Sequence, residues 1–427
     1  MLSYLCLMLL QRKNFLYITK NIVLYRKEKV MLVQKYVDML QGKSVIRTLS
    51  EFATARGKEI GYENVFDYSL GNPSVPVPRE FTDTCVKLLQ EMGAMELHGY
   101  SQSLGILEVR AKVAESLNKR FGMNYTANHI FMASGAAGAL SHAFRLVAEA
   151  GDEIITFAPF FPEYNPYVNL TGSVLKVVPP QTEDFQINFE AFEEMITEKT
   201  KAVLVNTPNN PSGIVYSAET LTRLAEVLTR KSEEFGDRIF LISDEPYREI
   251  VFDGKEVPYV SKFYDYAISC YSFSKSLSIP GERIGYVAIN PACPDAEKMV
   301  VMCGQISRGI GHNCPASLMQ LAVAETIDMT ADLSVYEKNM NLLYDELTSL
   351  GFTCVRPGGT FYIFPKALEE DAVAFCNKAL KYDLVLVPAD SFGCPGYFRM
   401  AYCIDTEKVE RSLAALRKFV EAEYPNR

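Results

Sequence analysis

Between residues 105 and 290, short and continuously apolar runs alternate with longer amphipathic stretches, an order that few architectures accept. The runs fall at 130–133, 153–157, 174–178, 202–206, 239–243, 267–271 and 286–289. Helical periodicity fills 104–120, 135–150 and 218–235. A strand that is apolar throughout must be buried on both faces, the condition of a mainly parallel sheet with helices on either side. The expected fold is α/β, with a large domain built on a mainly parallel seven-stranded sheet covered by helices. Ligands of such sheets bind at the carboxyl ends of the strands.

After about residue 315 the pattern changes. A long helical stretch at 316–350 precedes short extended runs at 353–356, 361–364, 385–388 and 397–402, with helices expected at 371–381 and 406–424. This reads as a smaller α+β unit. Near the other end, an extended segment at 65–70 breaks at Gly71-Asn72-Pro73-Ser74-Val75-Pro76-Val77-Pro78, whose prolines exclude helix and suit a crossing between domains. The expected boundaries are 31–75 and 326–427 for a small domain formed by both chain ends, and 76–325 for the large one. Residues 1–30 differ: Arg12, Lys13, Lys20, Arg26, Lys27 and Lys29 stand against the acid Glu28. The apolar run at 2–10 is too short to span a bilayer. Its cations follow rather than precede it, which does not suit a secretory signal. A dispensable extension is expected there.

With 427 residues, 48% of them hydrophobic, the chain can bury a large core in two domains. A net charge of −9 without a basic stripe excludes a nucleic-acid partner. The ten cysteines are scattered singly, so the expectation is reduced thiols in a cytoplasmic protein, with no metal site and no disulfide framework.

Several chemistry-bearing residues fall just after expected strands. Asp244-Glu245-Pro246-Tyr247 follows the run at 239–243, and Ser272-Phe273-Ser274-Lys275 follows that at 267–271, with Arg283 eight residues beyond Lys275. Alone, such a lysine is a solvated cation. Beside Ser272 and Arg283, which can hold an anion, its amine loses its proton more readily and can attack a carbonyl. Asp244 reads either as a helix cap or buried ion pair, or as a carboxylate that keeps a pyridine nitrogen protonated. Tyr247 either packs or hydrogen-bonds a ring oxygen. Asn209-Asn210-Pro211-Ser212-Gly213 is a surface turn by composition, but after a buried strand it can aim the Asn210 amide at a ring oxygen and a substrate carboxylate. Ser134-Gly135-Ala136-Ala137 opens a helix after a strand; its small residues either pack closely or let a phosphate approach the backbone N–H groups. Together these groups suit a pyridoxal phosphate site.

The combination Asn-Asn-Pro-Ser-Gly, Asp-Glu-Pro-Tyr and Ser-Phe-Ser-Lys resembles the fold-type-I pyridoxal-phosphate enzymes of the class I/II aminotransferase family, which includes aspartate aminotransferase. The resemblance covers about residues 40–425. It implies that Lys275, Asp244 and Tyr247 are catalytic, with Lys275 binding the cofactor aldehyde and Asp244 the ring nitrogen. Tyr247 and Asn210 would contact the ring oxygen, and Ser272, Arg283 and the Gly135, Ala136 and Ala137 backbone the phosphate. Phe161, in Pro159-Phe160-Phe161, would stack on the ring. Arg399, in Phe398-Arg399-Met400, would clamp the substrate carboxylate beside Gly71 and Asn210. Tyr100, in His98-Gly99-Tyr100, would reach the cofactor phosphate of a neighbouring subunit, which implies a homodimer with shared sites. Three departures stand out. Ala137 replaces a polar phosphate contact, Phe161 replaces Trp or Tyr, and Pro388-Ala389-Asp390 stands where relatives often have Pro-Gly.

Arg308 stands five residues before Asn313-Cys314-Pro315, where dicarboxylate-specific relatives carry a second arginine that meets the distal carboxylate across the dimer; a surface or ion-paired arginine is the alternative. The implied reaction moves an amino group from an L-amino acid to a 2-oxo acid, and Arg308 would favour aspartate or glutamate with 2-oxoglutarate. Two other readings stand beside it: a C–S β-lyase with the same cofactor, and a catalytically inactive cofactor-binding regulator. No membrane partner is expected.

Overall fold

The computed structural model describes residues 32–40 and 44–425. The expected extension at 1–30 lies outside them. The chain divides into two compact units, Met1–Thr48 and Leu49–Arg427. The first holds the short helix Gln34–Met39, and the second holds the sheets. Among the described residues no helix is long and apolar enough to cross a membrane.

After a two-residue strand β1 (Phe66–Asp67), seven strands form the main sheet: β2 (Ile130–Ala133), β3 (Glu153–Phe157), β4 (Val174–Val178), β5 (Thr200–Asn206), β6 (Phe240–Asp244), β7 (Ala267–Ser272) and β8 (Gly285–Ile289). Their order is β2-β8-β7-β6-β5-β3-β4. All neighbours are parallel except at β8, which runs antiparallel to both β2 and β7. The mainly parallel seven-stranded sheet read from the sequence is therefore present, with each strand within two residues of its apolar run.

Alternate residues of β5 show why those runs are apolar throughout. Ala202 and Leu204 join one buried cluster with Leu140 and Phe144 of the helix Gly135–Val147. Val203 and Val205 join another with Leu221, Leu224 and Leu228 of the helix Ala218–Phe235. Each buried Val, Leu or Phe among them contributes about 1.5–3 kcal/mol by leaving water. The second helix begins where Ser217 Oγ accepts the Thr220 N–H at 3.0 Å. It ends at Gly236, whose left-handed φ of 67° a residue with a side chain would resist.

Four short strands follow: β9 (Tyr362–Ile363), β10 (Leu384–Val385), β11 (Val387–Pro388) and β12 (Phe398–Ala401). β11, β12 and β9 form an antiparallel sheet, and β10 pairs with β1 in parallel. Tyr68, Tyr336, Leu343, Phe361, Phe375, Phe398, Leu416 and Phe419 share one core, so segments from both ends of the chain are buried together.

Two expectations are corrected. The helix expected over 316–350 is two helices, Ser317–Glu325 and Ser334–Ser349. Between them Ala331 N–H donates to Ser276 O at 2.7 Å, a tertiary bond that takes the donor out of any helix. Asp332 Oδ1 then accepts the Ser334 N–H at 3.2 Å as the next helix starts. The run at 353–356 pairs with no strand; Thr353 O instead accepts the Lys366 N–H at 2.9 Å.

Candidate active site

The sheet register brings the motifs together. Asn206 at the end of β5 lies opposite Asp244 at the end of β6, and Asp244 lies opposite Cys270 of β7. Lys275 follows β7 in the single helical turn Phe273–Ser276. On the other flank, Gly285 is paired with both Ser272 and Ala133, so β7, β8 and the start of the helix Gly135–Val147 converge there.

Asp244 is buried, with 5% of its surface exposed. Tyr164 O–H donates to Oδ2 at 2.6 Å, and Asn206 Nδ2 donates to the Asp244 backbone oxygen at 2.8 Å. Oδ1 is buried without a partner. Burial pushes the carboxyl up to about 7, against the Tyr164 hydrogen bond, with Glu245 adding to the rise. An unpaired buried carboxylate oxygen is costly, which marks this as a place where a cation belongs.

The Lys275 Nζ donates to Gly71 O at 2.8 Å and lies 5.3 Å from the Phe361 ring centroid. Burial first, and then Arg283 and Arg399, push its amine down to about 8 against the pull of Cys403. A useful fraction of neutral amine is thus present near neutral pH. Ser272 Oγ and Ser274 Oγ are 2.7 Å apart. Arg283 holds a left-handed φ of 50° and donates through Nη1 to Pro280 O at 2.9 Å. Gly135 has a φ of 73°, and a Cβ built on it would lie 3.0 Å from Arg283 Nη2. The guanidinium therefore lies against the first turn of the helix, where Gly135, Ala136 and Ala137 offer backbone N–H groups.

Arg399 is buried, donating through Nη1 to Asn210 Oδ1 at 3.1 Å and through Nη2 to Ser69 O at 2.6 Å. Its Nε is buried without a partner, and burial lowers its pKa. The Asn210 backbone N–H is itself fixed by Asn206 Oδ1 at 2.7 Å. Phe161 meets Tyr164 edge-on, with ring centroids 5.6 Å apart, which sets it one ring from Asp244. Tyr247 O–H and Tyr362 O–H are 3.1 Å apart. The arrangement combines an amine that sheds its proton, a buried carboxylate and two guanidiniums. It can capture a carbonyl compound and hold anionic groups on either side.

Residues 64–416 match the family described as aminotransferase class I and II. The chain belongs to this family. This aminotransferase is 29% identical to the aspartate aminotransferase of Thermotoga maritima over 84% of its own length and 92% of the relative's. It is 30% identical to a probable N-acetyl-LL-diaminopimelate aminotransferase of Bacillus subtilis, over 84% and 90%. A crystal structure of an aminotransferase from Eubacterium rectale superposes with a TM-score of 0.90 at 44% identity, over 92% of this chain and all of that one. The Thermotoga maritima aspartate aminotransferase structure gives 0.79 at 28%, over 88% and 97%.

Within the aminotransferase, Lys275, Asp244, Asn210, Arg399, Tyr247, Gly71, Phe161, Ser272, Arg283 and the Gly135–Ala137 turn gather around the carboxyl ends of β5, β6 and β7. Two expected site residues do not join them within one chain. Tyr100 is fully exposed, and Arg308 is exposed in the last turn of the helix Ala296–Ile310. Asn206, expected with Asp244 and the Lys275 loop near the strand ends, lies there, whereas Tyr164 and Tyr362, which touch Asp244 and Tyr247, were not expected in the site.

Proposed function

We propose that this aminotransferase carries pyridoxal phosphate and moves an amino group from an L-amino acid to a 2-oxo acid, favouring aspartate or glutamate with 2-oxoglutarate. The observation that carries the cofactor assignment is the buried, unpaired Oδ1 of Asp244 at the end of β6, with a lysine amine lowered to about 8 following the neighbouring strand β7. The residues fit that group. Asp244 would meet the ring nitrogen, Asn210 and Tyr247 the ring oxygen, and Phe161 the ring face. Ser272, Arg283 and the backbone of Gly135, Ala136 and Ala137 would hold the phosphate. When bound, the cofactor supplies an aldehyde for amines and a protonated ring that draws electrons from the substrate Cα.

The chain's own side chains do the rest. Arg399 holds the substrate carboxylate, with its unpaired Nε as a further donor and Asn210 fixing its orientation. That clamp sets which Cα bond faces Lys275. Lys275 Nζ takes the Cα proton and returns it, as base and then acid, a task suited to an amine whose pKa lies near the working pH. Asp244 balances the positive charge on the ring nitrogen. Phe161 and Phe361 wall the site against water.

The active unit proposed is a cytoplasmic homodimer, with a large domain at 76–325 and a small one at 31–75 and 326–427. Exposed apolar side chains support a second copy: Met95 at 87% exposure precedes Tyr100 by five residues, and Val301 at 56% precedes Arg308 by seven on the same helix. Tyr100 and Arg308 would then complete the neighbouring site.

The class is tested by adding amino acids singly to the cofactor-loaded protein and following the cofactor absorbance. Conversion by an amino acid, reversed by a 2-oxo acid, supports transamination. Release of pyruvate and a thiol from cystathionine with no acceptor would overturn it in favour of the lyase. Arg308→Ala tests the substrate. With aspartate, kcat/KM is expected to fall by about 2–5 kcal/mol, the order for losing one partner of a buried charge pair, while alanine turnover holds. Equal losses on both substrates would reject the dicarboxylate assignment.

A further inference from the structure

Tyr362 lies where the substrate-side and cofactor-side residues meet. Its backbone is pinned: β9 pairs it with Ala401 of β12, and its N–H donates to Thr360 Oγ1 at 3.0 Å. Its ring is buried, with 3% of the residue exposed. The Arg399 guanidinium sits over that ring at 4.6 Å from the centroid. The Tyr247 ring meets it edge-on at 5.7 Å, and the two hydroxyls are 3.1 Å apart. The Tyr362 hydroxyl also presses on Gly71, where an added Cβ would lie 1.9 Å from it. The Gly71 carbonyl is the acceptor that holds Lys275.

We infer that Tyr362 is a positioning residue: its hydroxyl donates to the Tyr247 oxygen, so that the Tyr247 proton is aimed into the cofactor pocket. This rests on the pyridoxal phosphate reading above. The proton count sets the direction of the bond. Two neutral phenols share two protons, and one hydrogen bond between them uses one. Burial raises the pKa of both, so both protons stay in place through neutral pH. The second proton points away from the pair. On the Tyr362 side the hydroxyl is crowded by Gly71, whereas on the Tyr247 side the ring oxygen of the proposed cofactor would be the acceptor. The spare proton therefore belongs to Tyr247, on the side of Asp244. The charged and titratable groups around the pair are Asp244, Arg399 and Tyr164 facing Tyr247, and Arg399, Cys403 and Tyr402 facing Tyr362, with Lys275 behind Gly71. Asp244 opposes loss of the Tyr247 proton and Arg399 favours it.

The test compares the wild type, Tyr362→Phe, Tyr247→Phe and the double variant, each loaded with pyridoxal phosphate. The readouts are the pH midpoint of the bound cofactor's absorbance change and the thermal unfolding midpoint. Phenylalanine keeps the ring under Arg399 and removes the hydroxyl, so the fold is expected to survive. A Tyr247 that has lost its donor stabilises an ionised ring oxygen less well, so the midpoint in Tyr362→Phe should rise by about half a pH unit or more. In the Tyr247→Phe background the same change should leave the midpoint where it is, because the group acted upon is gone. An unmoved midpoint in the single variant, or an equal rise in both backgrounds, overturns the inference alone. A wild type that develops no cofactor absorbance overturns it together with the cofactor assignment.

Discussion

Lys275→Ala is expected to lower turnover by roughly 10^4-fold or more, because it would remove at once the proposed aldehyde-binding amine and the proposed base for the Cα proton. The fold should persist. Lys275 sits on a single turn, Phe273–Ser276, whose start is capped when Ser272 Oγ accepts the Ser274 N–H, and that bond does not use the lysine. Pyridoxal phosphate should still bind, because Asp244, Arg283, Ser272 and the turn at Gly135 remain. Borohydride separates the two functions. Reduced wild type should retain the cofactor mass on the peptide containing residue 275, and the variant should release it on denaturation. A variant that keeps a covalent adduct, or a wild type that forms none, would remove the basis for the mechanism. Restoration of some activity by added small amines would show that a base in that cavity is what is missing.

The parts of the molecule read correctly from the sequence are those whose cause is local. The strands were legible because a strand buried on both faces must be apolar at every position, as Ala202 to Val205 are. Lys275, Asp244 and Asn210 could be singled out as candidates, and their place just after strands read, because polar groups directly after such strands have few reasons to be there. Tyr164 and Tyr362 could not. The chain has 24 tyrosines, and nothing nearby separates one that packs from one that donates to Asp244 across 80 residues or meets Tyr247 across 115. The break between Glu325 and Ser334 was hidden for the same reason, since its cause is a bond from Ala331 to Ser276. Tyr100 and Arg308 mark a different boundary: their expected partners belong to another copy of the chain.

Asp244→Asn should separate catalysis from stability, and with opposite signs. Asparagine keeps the size of the side chain and an oxygen for Tyr164 but cannot balance a pyridinium. Turnover should therefore fall by about 10^3-fold or more, the order for removing a preorganised charge from a reacting centre, and added cofactor should raise the unfolding temperature less than in the wild type. Without cofactor the comparison reverses. Burial lifts the Asp244 pKa from the ordinary 3.8 to about 7, so the fold favours the protonated acid. Stability from this group is fully present below about pH 4 and is lost as pH rises through about 7. The cofactor-free wild type should thus lose ground to the cofactor-free variant across that window and stay below it at pH 8. Thermal unfolding of both proteins at pH 4.5 and pH 8, with and without pyridoxal phosphate, reads all four quantities. If the cofactor-free wild type were the more stable at pH 8, Oδ1 would already be satisfied and the carboxylate would not be waiting for a cation. On the proposed reading, the same carboxylate that weakens the empty protein would tighten the loaded one, because a bound pyridinium would cancel the charge that burial disfavours.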